Sequence, residues 1–308
     1  MRDAVKTRLL LLAAALTATS CSSGGAETKP VERDPIEPYA ATGKTKTFDF
    51  TIQDVLWEVG PAALYNGIGY NGQIPGPPIE VMAGDHVTIH LTNKSSKPHS
   101  IHTHVVKFTK ENDGTGADLV KPGETKTVEW DAVYAGTFPY HDHGDEAQAL
   151  ALGLFGALIV HAPDEVPANE HVVILSDFEA SAYAQLPGVA DPATGEFPDG
   201  GTFHDGGHQY MHTINGKAYE DAVPPFKAKV GEISRWRVVS IGQEFHTWHI
   251  HGHRWLDEAG QVTDNVLLGP GSYTTFEFKE DNPGTWLVHC HVPSHMSGGM
   301  LADYVVSP

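Results

Sequence analysis

Apolar and polar residues alternate through short segments along most of the chain. In His86-Val87-Thr88-Ile89-His90-Leu91-Thr92 the residues Val87, Ile89 and Leu91 recur at every second position, the period of a strand with one buried face. Thr125-Lys126-Thr127-Val128-Glu129-Trp130, Ser234-Arg235-Trp236-Arg237-Val238-Val239 and Thr274-Thr275-Phe276-Glu277-Phe278 repeat the pattern or concentrate β-branched and aromatic side chains, which suit a pleated surface. Turn signals separate them: Gly84-Asp85, Pro122-Gly123, Gly269-Pro270-Gly271 and Asn282-Pro283-Gly284. No long helical period interrupts the series. The pattern predicts an all-β chain with two packed sheets in each half, a Greek-key sandwich or barrel.

The two halves repeat one another. Pro77 and Pro224, Gly84 and Gly231, His99 and His246, His102 and His249, and His104 and His251 are each 147 positions apart. Gly123 and Gly271, Gly136 and Gly284, His141 and His289, and His143 and His291 are 148 apart. A tandem duplication with one residue of slippage accounts for both offsets. The polar stretch Ala162-Pro163-Asp164-Glu165-Val166-Pro167-Ala168-Asn169 is the expected junction, giving a first domain over 45–162 and a second over 168–308. With 308 residues and 40% apolar composition, the chain can bury two cores of ordinary size.

The beginning of the chain reads differently. Arg2, Lys6 and Arg8 precede an apolar run from Leu9 to Leu16, too short to cross a bilayer and shaped like a secretory leader. It ends in Ala18-Thr19-Ser20-Cys21, the form of a bacterial lipoprotein processing site at which the cysteine is acylated. Residues 1–21 are therefore expected to be a lipoprotein-type signal peptide and 22–44 a flexible linker. That places the protein in the cell envelope, lipid-anchored to the membrane through Cys21; a plain secretory leader and a periplasmic or secreted protein are the alternative. The net charge of −19 argues against nucleic acid as a partner.

With Cys21 assigned to lipid or lost with the leader, Cys290 has no partner for an intrachain disulfide. Its neighbours explain its presence. Val288-His289-Cys290-His291-Val292-Pro293-Ser294-His295-Met296-Ser297-Gly298-Gly299-Met300 holds a thiolate, an imidazole and a thioether, three of the four ligands of a blue-copper site. His246, in Phe245-His246-Thr247-Trp248-His249-Ile250-His251, is the candidate for the fourth. His289 and His291 point away from Cys290 if the segment is extended, and toward one side together. They form one of four His-x-His pairs, with His102 and His104, His141 and His143, and His249 and His251. Eight imidazoles are more than one mononuclear site can use, and neutral imidazole suits copper.

The repeat also shows what the first half lacks. Cys290 maps onto Asp142, His295 onto Ala147, and Met300 onto Leu152 or Phe155, so only His99 survives there from a blue site. The other histidines are read as ordinary polar residues: His86, His90, His161 and His171 in strand-like or linker sequence, and His204, His208 and His212 in a glycine-containing loop. His253 is expected to pack behind the ligands.

Together these motifs resemble the multicopper oxidases, and the arrangement over residues 45 to 308 is similar to the bacterial two-domain small laccases, with the type 1 copper in the second domain. The resemblance implies two tandem cupredoxin-like domains and a homotrimer whose trinuclear copper cluster is shared between subunits. It implies type 1 copper at His246, Cys290, His295 and Met300. It implies type 2 copper at His102 and His249, and two type 3 coppers at His104, His141, His143, His251, His289 and His291. Asp113 and Asp264 match positions that relay protons in that family, and Phe108 stands where a redox-active Tyr is common. The implied reaction couples one-electron oxidation of a phenolic, aromatic or reduced-metal donor to four-electron reduction of dioxygen to water. Two alternatives remain open. A copper nitrite reductase carries its type 1 Cys in the first domain, where Asp142 stands here. A blue-copper electron carrier has no use for eight further imidazoles.

Overall fold

The computed structural model describes residues 37–60, 63–144, 146–179 and 210–308. The leader with Cys21, the linker up to residue 36, and His204 and His208 lie outside the described residues. The chain is nearly all-β, as its two-residue period predicts.

From 45 to 161 the strands form two four-stranded sheets. One contains β1 (Thr45–Gly60), β2 (Ala63–Tyr70), β4 (His86–Asn93) and β6 (Thr125–Asp131), in the order β2-β1-β4-β6. The other contains β3 (Ile79–Met82), β5 (His102–Thr103), β7 (Gly136–His141) and β8 (Phe155–His161), in the order β3-β8-β7-β5. From 169 to 307 the pattern recurs. β9 (Asn169–Glu179), β10 (Tyr210–Ile214), β12 (Ile233–Ser240) and β17 (Tyr273–Lys279) make the sheet β10-β9-β12-β17. Facing it in the repeat is β11-β19-β18-β13-β16, from β11 (Phe226–Lys229), β13 (His246–Ile250), β16 (Asn265–Leu268), β18 (Gly284–His289) and β19 (Leu301–Ser307). β14 (Trp255–Leu256) and β15 (Val262–Thr263) form a small separate ladder.

Pairing follows the same plan in both halves. β1 runs parallel to β4 and β9 to β12; β3 runs parallel to β8 and β11 to β19. The other ladders among the described residues are antiparallel. Val87, Ile89 and Leu91 of β4 are buried, as the alternation requires. Trp236, Trp248 and Tyr304 fill the second core, and core residues of the first half extend to Ile174, Phe178 and Val239 of the second. Arg237 Nη1 donates to Thr137 Oγ1 across this contact at 3.2 Å, and Trp57 Nε1 donates to the carbonyl of Gly216 at 2.6 Å.

Among the described residues two short α-helices depart from the strand pattern: α1 (Glu146–Leu152) and α2 (Pro293–Ser297). Each follows a His-x-His pair, and neither is long enough to show a helical period in the sequence. Pro293 opens α2 in the first helical position, where a missing N–H costs nothing. The chain leaves through Gly298 and then Gly299, whose φ of +110° disfavours any other residue. This turn folds His295 back toward Cys290.

Candidate metal centres

Cys290 follows directly on β18, is fully buried, and is a free thiol. Its Sγ lies 3.7 Å from Nδ1 of His295 and 4.0 Å from Nδ1 of His246, and those two nitrogens are 3.2 Å apart. Ligand bonds of about 2.0 to 2.3 Å in a trigonal plane place donor atoms about 3.5 Å apart, so the triangle suits one copper ion. The N–H of Thr247 on β13 donates to Sγ at 3.4 Å. Burial pushes the thiol up, but hydrogen bonds from His246, His295 and the backbone outweigh it and bring Cys290 down to about 5. Met300 is fully buried, and its carbonyl accepts the Cys290 N–H at 3.1 Å. β13 and α2 thus bring His246 and His295 to Cys290, and Met300 meets Cys290 through its backbone carbonyl.

A third imidazole stands beside them. His212 lies with His246 and His295 in a group of potential ligands. Its Nδ1 is 2.6 Å from Oδ1 of Asp177, and its ring stacks on that of His295 at 3.9 Å and 17°. Asp177 holds Nδ1 of this ring, while Cys290 Sγ makes the triangle with His246 and His295. The reading of His212 as an ordinary loop residue is therefore corrected. Its four-residue spacing from His208 would have needed a helix, but Tyr210-Met211-His212-Thr213-Ile214 is a strand whose partner is β9.

The four histidines of the first half converge. His102 and His141 are cross-strand partners between β5 and β7. His104 Nε2 is 3.4 Å from His141 Nε2, and the His102 and His143 rings are 4.6 Å apart. The second half repeats this with His249 opposite His289, and His251 Nε2 3.0 Å from His289 Nε2. The His249 and His291 rings are 5.2 Å apart. Corresponding ligands are held by corresponding bonds. His102 Nδ1 meets the carbonyl of Asp113 and His249 Nδ1 that of Asp264, both at 2.7 Å. His141 and His289 each turn Nδ1 to the carbonyl of the next residue, Asp142 and Cys290, at 3.1 and 2.8 Å. A carbonyl at Nδ1 fixes the proton there and leaves the Nε2 lone pair for a metal.

Electrostatics prepare the same groups. Burial, reinforced by neighbouring imidazoles, lowers His141 to about 3 and also lowers His104, His251 and His289. These side chains are neutral near pH 7, the form that binds metal. His251 and His291 are exposed.

Asp113 and Asp264 lie outside the imidazole groups. The Asp113 carboxylate takes Lys110 Nζ at 2.7 Å and stands 3.5 Å from His102 Nδ1; that of Asp264 stands 3.8 Å from His249 Nδ1. Phe108 packs edge-on to His102 with ring centroids 5.7 Å apart. In the place of Cys290, Asp142 accepts bonds from Ser100, from the Gly144 N–H at 3.0 Å and from His99 at 3.1 Å, so the degenerate site is closed by hydrogen bonds.

Of the remaining histidines, His253 packs behind His251, with Nδ1 on its carbonyl at 2.7 Å and Nε2 on buried Glu280 at 2.8 Å. His86, His90 and His161 face Asp131, Asp49 and Glu165. His171 differs from its expected role as an ordinary polar residue: it is buried, its ring is 4.4 Å from that of Trp236, and burial lowers it to about 4. His161, Glu165 and Glu170 are close enough to hold a cation. Arg235 and Arg237 occupy that position instead.

Comparison with known proteins agrees with this chemistry. Two family models, each described as multicopper oxidase, match residues 37–165 and 194–308. The chain is 31% identical over 270 residues to a probable nitrite reductase-hydroxylamine oxidoreductase fusion protein of Kuenenia stuttgartiensis, covering 81% of this chain and 30% of that one. It is 30% identical over 265 residues to ceruloplasmin of Mus musculus, covering 76% and 24%. The chain thus spans less than a third of the length of these relatives. The crystal structure of a blue copper oxidase from Nitrosomonas europaea superposes with a TM-score of 0.73 and 29% identity, covering 85% of this chain and 86% of that one.

Proposed function

The chain belongs to the multicopper oxidase family, and on that premise we propose that it is a laccase-like oxidase that couples one-electron oxidation of small donors to the reduction of dioxygen to water. The observation that carries this reading is the placement of Cys290 between His289 and His291. Its side chain faces His246 and His295, while its neighbours join a separate imidazole group. A thiolate bonded through its own backbone to two further ligands is a short covalent route between two centres.

When bound, copper would carry electrons from the donor to dioxygen, four donors and four protons for each dioxygen converted to two waters. His246, Cys290, His295 and Met300 would hold type 1 copper, and the eight paired histidines a type 2 and two type 3 ions. The chain supplies imidazoles with their tautomers fixed by the carbonyls of Asp113, Asp142, Asp264 and Cys290. Asp113 and Asp264 would exchange protons with solvent from positions beside His102 and His249. Phe108 has no phenolic proton to contribute, so proton and electron delivery on that side falls to other groups.

Each half supplies four of the eight histidines, and each group close enough to hold a metal is drawn from one half: His102, His141 and His143, or His249, His251 and His289. Assembly into a homotrimer by a head-to-tail interface would bring the first group of one copy to the second group of the next. Export through the N-terminal leader, with a lipid at Cys21, would set this activity at the cell envelope; fractionation of the full chain into membrane and soluble pools tests that part. The nitrite reductase reading draws on the name of the Kuenenia relative. Copper analysis with oxygen and nitrite assays separates the two: four coppers per chain and one dioxygen consumed per four donors oxidised support the oxidase, whereas two coppers with nitrite consumption overturn it.

A further inference from the structure

Asp177 belongs to none of the motifs that mark the metal ligands, yet it is buried beside one of them, His246, its side chain 2% exposed. β9 and β10 pair with Asp177 directly opposite His212, so the two side chains leave the same face of the sheet as close neighbours. Oδ1 of Asp177 meets His212 Nδ1 at 2.6 Å, and Oδ2 stands 3.2 Å from His246 Nε2. The ring of His212 then lies flat against His295. One carboxylate thus touches one proposed copper ligand directly and reaches the other through a stacked imidazole. Space is reserved for both groups: a Cβ on Gly242 would fall 2.8 Å from Asp177 Oδ2, and one on Gly298 would fall 2.6 Å from His212 Cδ2.

The repeat supplies an internal control. The turn after β2 and the turn after β10 correspond, because Asn71 and Asn215 both have positive φ and bond back to Thr51 and Ile174 respectively. Counting from these bonds, Asp177 corresponds to Asp54 and His212 to Ile68, and these are likewise cross-strand partners. Asp54 is exposed and Ile68 is a core residue. The half in which Asp142 replaces the cysteine therefore has no Asp–His pair at the positions of Asp177 and His212.

We propose that Asp177 and His212 are positioning residues of the type 1 centre: Asp177 keeps the proton of His246 on Nε2 so that Nδ1 faces Cys290, and His212, aligned by the same carboxylate, sets the plane of His295. This rests on the assignment of Cys290 as the type 1 ligand. A carboxylate or carbonyl behind a metal-bound imidazole fixes its orientation and raises its basicity, and its removal costs about 10- to 100-fold in metal affinity.

The test uses the full copper-loaded chain, with D177N, D177A and H212F compared to the unaltered protein by blue absorption, electron paramagnetic resonance and the potential of the type 1 copper. D177N removes a negative charge and one of two acceptors; it should keep the colour, raise the potential and alter the copper hyperfine splitting. D177A should weaken type 1 copper binding about 10- to 100-fold while the trinuclear copper stays bound. H212F keeps a ring on His295 and should shift the spectrum less than D177N. If D177A does not fold, D177N and H212F decide the matter. A blue wild type whose potential and resonance are matched by D177N overturns the positioning role alone. A wild type without blue absorption overturns the type 1 assignment and this proposal with it.

Discussion

Replacement of Arg237 by Met probes the contact that fixes the two halves against each other. The Arg237 side chain is 1% exposed, bonds to Glu170 through Nε and to Glu165 at 2.7 Å, and reaches Thr137 in the first half. Met fills a similar volume, so the loss is electrostatic: two carboxylates lose their closest cation. Breaking a buried ion pair costs about 3 to 5 kcal/mol. Here Glu165 and Glu170 are 20% and 30% exposed, and Arg235 remains 2.7 Å from Glu170. The expected cost is accordingly smaller, about 2 to 3 kcal/mol near pH 7. Burial raises both acids, but His161 and Arg237 at Glu165, and Arg237 and Arg235 at Glu170, outweigh it and hold both below their ordinary value of 4.5. A carboxylate lowered in the folded state stabilises the fold above its unfolded pKa, and that stability fades as pH falls through the folded value. The cost of R237M should therefore shrink below about pH 4.5. Urea denaturation of the copper-free protein at pH 7 and pH 4 measures both quantities, and adding E165Q and E170Q to R237M should restore more than about 1 kcal/mol at pH 7. A loss under about 0.5 kcal/mol at pH 7, or one undiminished at pH 4, would refute the reasoning.

Cys290→Ser should abolish the blue absorption and donor oxidation while the trinuclear copper stays largely bound on its own eight histidines; blue colour in the variant would remove Cys290 from the site. Met300→Leu should keep the colour and raise the type 1 potential, because a weak donor is lost; an unchanged potential would mean that Met300 is not axial. His171→Phe should alter the pH dependence of stability. Burial lowers this imidazole from 6.5 to about 4, so the unfolded chain takes up a proton that the native chain refuses, and stability falls by about 3 kcal/mol as pH drops through that window. The variant should lack this part of the slope in denaturation of the copper-free protein, and an identical slope would show that His171 is not the group responsible.

The all-β class was legible because burial on one face imposes a two-residue period, as Val87, Ile89 and Leu91 show. The imidazole groups were legible because each His-x-His pair is a local signal, although only its first member, His102, His141, His249 or His289, lies on a strand and the second follows the strand's end. His102 and His249 show the next level, since the carbonyls that orient them come from loops 11 and 15 residues away. Asp177 and His212 were not legible. They meet only through the register of β9 with β10, and no spacing within either strand announces it. The helix α2 escaped the periodic reading because five residues are too few to display a helical face.

The central claim is that two half-clusters from different copies form one oxygen-reducing site. It is tested most directly by co-expressing two inactive variants, one with His102 and His104 changed to Ala and one with His289 and His291 changed to Ala, and measuring oxygen uptake by the copper-loaded mixed assemblies. In a head-to-tail ring, the intact first half of the second variant meets the intact second half of the first, so activity should partly return while each variant alone stays inactive. Mixed trimers that are isolated, copper-loaded and still inactive would contradict a cluster shared between subunits.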